Sequence, residues 1–90
     1  MTEPAPGVIE AEILRQVADR GAEKSICPSD VAQALDPVWR PLLTPVRQAA
    51  IRLARDGRID ILRKGRPIDP AETRGVIRLR IRSTQSQDSS

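Results

Sequence analysis

The segment TPVRQAAIRLARDG, Thr44 to Gly57, reads as one amphipathic helix with its start and stop both encoded. At about 100° per residue, Val46, Ala49, Ala50, Leu53 and Ala54 share one arc. Arg47, Gln48, Ile51, Arg52 and Arg55 share the other. The first arc is a core face whose small residues permit close packing, and the second is basic. Thr44 suits an N-cap, Pro45 the first helical position and Gly57 a left-handed stop.

Downstream of this helix the period changes from helical to alternating. Ile59 and Ile61 face one way with Asp60 between them. Ile77, Leu79 and Ile81 alternate with Arg78, Arg80 and Arg82. These segments are expected to be the two strands of a hairpin. Its loop, Gly65 to Gly75, is long. Within it Asp69, Pro70 and Glu72 have the spacing of a capped helical start, so one helical turn is expected there.

Upstream, SDVAQALD from Ser29 to Asp36 predicts a short helix with Ser29 as its N-cap. Prolines at 37 and 41 argue against a continuous helix from this one into the next, and Leu42 and Leu43 are expected to tuck beneath the connection. A first helix is expected from about Val8. Ile9, Ile13, Leu14 and Val17 recur at helical spacing, and Gly21 follows as a stop. Ser25-Ile26-Cys27 has room for a strand of two or three residues. Residues 1–7 are expected to form a flexible arm, 8–82 one domain and 83–90 a disordered tail.

Composition narrows the function classes. Ninety residues make one small domain with room for a single core and no deep catalytic cavity. One cysteine and no histidine disfavour a disulfide or a zinc site, and no cofactor is expected. The chain has no glycine-rich phosphate loop and no serine in a nucleophile setting, so the reading is not an enzyme. Without a signal peptide or an apolar run of membrane-spanning length, a cytoplasmic location is expected. The net charge of +3 conceals an asymmetry. Residues 1–36 hold three Lys/Arg against seven acids, and residues 37–82 hold twelve against four. One side of the molecule is therefore suited to a polyanion.

Helix, short strand, helix, helix, strand, loop, strand is the element order of an α+β winged helix-turn-helix, three helices packed on a small antiparallel β-hairpin wing. SICPSDVAQAL, Trp39-Arg40, VRQAAIRLARDGRI and the GRPIDP…RGVIRLR ending together resemble a small bacterial family of unknown function. The resemblance implies a winged-helix fold for Val8 to Arg82 and no particular activity. The chain departs from it at Val76, where many members carry proline.

On this fold the candidate contact set for a DNA major groove is Arg47, Gln48, Ile51, Arg52 and Arg55 on the third helix. Arg63, Lys64 and Arg66 at the wing tip are candidates for phosphate contact. The competing reading of the helix is a solvated face with local ion pairs such as Arg52 to Asp56, with Ile51 packed under a neighbouring segment. Arg78, Arg80 and Arg82 are read as protection of a sheet edge, one of them neutralised by Asp60. Trp39 is expected to plug the core beneath the connection, and Cys27 to be a small buried apolar residue. The partners considered are double-stranded DNA, or an acidic protein or second copy of the chain; neither a membrane nor a small-molecule ligand is expected. The absence of Phe and Tyr disfavours single-stranded nucleic acid, which is held by stacking on aromatics.

Overall fold

The computed structural model describes residues 4–82. Its elements in chain order are α1 (Pro6–Arg20), α2 (Pro28–Leu35), a 3-10 turn (Arg40–Leu42), α3 (Leu43–Arg55), β1 (Ile59–Arg63), β2 (Arg66–Pro67), a second 3-10 turn (Pro70–Glu72) and β3 (Arg78–Ile81). Three helices thus pack on a small three-stranded antiparallel sheet of order β2-β1-β3. The expected arm and tail lie outside the described residues at 1–3 and 83–90. Pro6 and Gly7, expected in the arm, belong to α1: Pro6 sits in its first turn, where a missing N–H costs nothing.

Helix α3 is the hub, touching α1, α2, β1 and both 3-10 turns. Val46, Ala49, Ala50 and Leu53 are buried, the arc the helical wheel assigns to the core. Ile9, Ile13 and Val17 of α1, Val31 and Ala32 of α2, and Ile59, Ile61 and Leu79 of the sheet close around them. Ala49 and Ala50 carry only a methyl group each, which lets α1 and α2 pack closely on α3. Its stop is as expected. Gly57 adopts φ 77°, its N–H donates to the Ala54 carbonyl at 3.0 Å and the Arg58 N–H to Leu53 at 3.0 Å. That pair of bonds is the Schellman arrangement.

The helix starts differ from expectation. Thr44 does not cap α3, because the 3-10 turn runs straight into it: Leu42 already has helical angles, and the Leu43 N–H is satisfied by the Arg40 carbonyl. Thr44 is instead an exposed helical residue, and Pro45 lies in the first turn. Ser29 is likewise displaced from the cap of α2 by Cys27. Pro28 takes the first helical position, and Asp30 Oδ2 accepts from the Cys27 N–H at 2.9 Å. The acid reaches back as a capping box requires.

The two-stranded hairpin also needs correction. Lys64 at φ 54° and Gly65 at φ 81° form a two-residue turn with both central residues in the left-handed region, the type I′ geometry that matches strand twist. The chain therefore folds back at once, and Arg66–Pro67 pairs with β1 as Leu62↔Pro67 and Arg63↔Arg66. Ile68 extends the pairing by donating to the Ile61 carbonyl at 2.8 Å. Pro67 is tolerated because β2 is an edge strand. The opposite edge of β1 receives β3, with Asp60↔Arg80 and Ile61↔Leu79 as direct partners. Ile26 adds a single bridge to β3 through two 2.8 Å bonds with Leu79, so the Ser25-Ile26-Cys27 segment does reach the sheet. Asp69 caps the second 3-10 turn by accepting from the Ala71 N–H at 2.8 Å, as its spacing predicts. No helix of the described residues is long and apolar enough to cross a membrane.

Candidate nucleic-acid interface

Packing on five sides leaves α3 an open arc narrower than its sequence implies. Thr44, Gln48, Arg52 and Arg55 are exposed, whereas Arg47 and Ile51 are half-buried. Arg47 Nη1 donates to the carbonyl of Gly75 at 3.1 Å, tying the start of α3 to the loop before β3. Ile51 packs against the edge of the core. Its apolar side chain is therefore partly taken up by the core. Of the five residues in the candidate major-groove set, only Gln48 and Arg55 are both open and without a side-chain hydrogen bond or ion pair among the described residues.

Arg52 is exposed but engaged. Its Nε donates to Glu10 Oε2 of α1 at 2.6 Å. The local pair with Asp56 does not form; α1 packs against this flank of α3 and brings a carboxylate nearer. Arg47 and Arg52 thus mark the two flanks of the open arc, one tied to a neutral carbonyl and the other to an acid.

The β1–β2 turn presents the other half of the candidate surface. Lys64 and Arg66 are exposed, Arg63 is half-buried, and none of the three has an acidic partner among the described residues. Hairpin pairing on both sides of the type I′ turn fixes the three cations close together. Arg74 was missed by sequence reasoning. It is exposed and precedes Gly75, the residue that Arg47 holds, so its backbone lies beside α3. A loop position shows this only once the tether is known.

The arginine ladder of β3 is used internally. Arg80 Nη2 lies 3.6 Å and Arg82 Nε 3.7 Å from the Asp60 carboxylate, so one acid serves two arginines where one was expected. Arg78 donates to Ser25 Oγ at 2.6 Å, to the Ser25 carbonyl at 2.9 Å and to Cys27 Sγ at 2.9 Å. It thereby fastens the Ile26 bridge to the sheet from the outer side. Cys27 is half-buried rather than fully buried, its thiol turned to this guanidinium. Trp39 packs against the core, with the Arg40 guanidinium 5.1 Å from its ring centroid. Among the described residues no polar side chain is buried and no three potential metal ligands cluster.

A family model matches residues 6–82, from the first residue of α1 to the residue after β3. The chain belongs to the DUF3253 family. DUF3253 is described as a protein family of unknown function, as the motif resemblance implies. The match takes in every element of the fold, so the α3 arc, the β1–β2 turn and the Arg47 tether all lie within the DUF3253 portion. No curated protein matches the chain.

Proposed function

We propose that this DUF3253 chain is a cytoplasmic, non-enzymatic winged helix-turn-helix domain that contacts duplex DNA through α3 and the β1–β2 wing tip. The observation that carries the reading is that four cations on these elements have no acidic partner among the described residues: Arg55 on the open arc of α3, and Arg63, Lys64 and Arg66 on and beside a rigid turn. Supporting it, α2, the 3-10 connection and α3 follow the helix-turn-helix order, and the sheet follows as a wing. The binding is predominantly electrostatic. Only Gln48 among the open residues of α3 offers the paired donor and acceptor that read an adenine edge, so contact outweighs sequence selection.

A protein partner is the second reading, favoured by three exposed valines, Val8 at 52%, Val38 at 72% and Val76 at 86%. Salt dependence separates the two. Fluorescence anisotropy with a random-sequence duplex should give a double-logarithmic slope of about −3 to −4, near −0.9 for each of the four cations that displaces a counterion. Absence of binding at low salt, or a slope near zero, would overturn the DNA reading.

A further inference from the structure

We propose that Glu10 is an internal phosphate surrogate: in the free protein it occupies Arg52, and DNA gains that arginine only by displacing the carboxylate. The inference rests on the DNA-binding reading and specifies how the same surface is restrained.

Arg52 belongs to the exposed arc, one helical turn from both Gln48 and Arg55. Its guanidinium is therefore placed where a phosphate lying along α3 would need it. Glu10 follows the fully buried Ile9 on α1, and packing of α1 against α3 sets the carboxylate beside the arginine. The side chains remain 45% and 29% exposed, so water and a competing anion can reach the pair. A phosphate offers the same oxygen acceptors as a carboxylate.

The two flanks of α3 consequently differ. Arg47 is held by a neutral carbonyl and keeps its full charge toward a polyanion, while the charge of Arg52 is cancelled by Glu10. Once released, Glu10 stands as an uncompensated anion near the DNA backbone, so its presence lowers affinity both by competition and by repulsion.

The experiment compares wild type, Glu10→Gln, Arg52→Gln and the double variant in duplex-DNA anisotropy. Asp56→Asn serves as the control, since Asp56 follows α3 and has no ion pair among the described residues. Glu10→Gln should tighten binding about three- to tenfold at low salt and steepen the salt slope by about one unit, as one further cation becomes available. The gain should shrink in the Arg52→Gln background, where the competition is gone and only the repulsion of an unpaired carboxylate remains. Equal gains from Glu10→Gln and Asp56→Asn, or a gain undiminished by loss of Arg52, would overturn the surrogate role while leaving DNA binding intact. Failure of both wild type and Glu10→Gln to bind would overturn both readings.

Discussion

Leu79→Ala is expected to lower the unfolding free energy by about 2–5 kcal/mol in urea denaturation, the usual range for truncating a buried leucine. Leu79 has 0% exposure and lies where the sheet and helices meet. Its backbone pairs with Ile61 of β1 on one side and bridges Ile26 on the other. Its side chain belongs to the same core as Ile13, Val46 and Leu53. Cavity formation there removes contacts from both layers at once. Domains of this size have a total stability of only about 5–13 kcal/mol, so the variant should be partly unfolded at modest denaturant. Arg80→Ala, at the next position along the same strand, removes only a loose and partly exposed pairing with Asp60 and should cost less than about 1 kcal/mol. A loss below 1 kcal/mol for Leu79→Ala would show that the sheet does not close the core.

The largest functional effect is expected from removing Arg55, Arg63, Lys64 and Arg66 together. If each displaces one counterion, the quadruple alanine variant should lose duplex affinity on the order of 1000-fold at 0.1 M salt and lose most of its salt dependence. The fold should survive, because Arg55, Lys64 and Arg66 are exposed and Arg63 is half-buried. Urea denaturation of the same variant checks that. The paired variant Arg80→Ala with Arg82→Ala removes two cations of the same sign from the strand ladder, where Asp60 already holds them. Its salt slope should stay close to wild type. Equal losses from both variants would mean that net charge alone, without a defined surface, governs binding.

Local signals in the sequence locate most of the architecture. The helical repeat of Val46, Ala49, Ala50 and Leu53, the glycine stop at 57, the alternation of Ile77 to Ile81 and the Asp69-Pro70 turn are each encoded within a few residues, and each appears where its spacing puts it. What the sequence hides depends on contact between distant segments or on weak local preference. Thr44 has the side chain of a cap, yet a 3-10 turn built through Pro41 supplies the backbone acceptor instead. Lys64 is not a residue that announces a left-handed turn, and β2 is only two residues long with a proline in it, so the third strand carries little periodic signal. The candidate surface changed for the same reason. Arg47 and Arg52 look equivalent on a helical wheel, but Gly75 and Glu10, far away in the chain, decide that both are engaged. Only folding distinguishes them from Arg55.

The central claim is that the open arc of α3 and the β1–β2 turn both meet duplex DNA. The most direct measurement is an amide chemical-shift titration of the intact chain with a random-sequence duplex at low salt. The predicted perturbations follow Thr44, Gln48, Arg52 and Arg55 along α3 and Arg63 to Arg66 at the turn, with Arg74 beside them, while Asp60, Arg80 and Arg82 on the ladder stay unmoved. Shifts centred on the strand ladder or around Val38, or none at all with a well-dispersed folded spectrum, would contradict it.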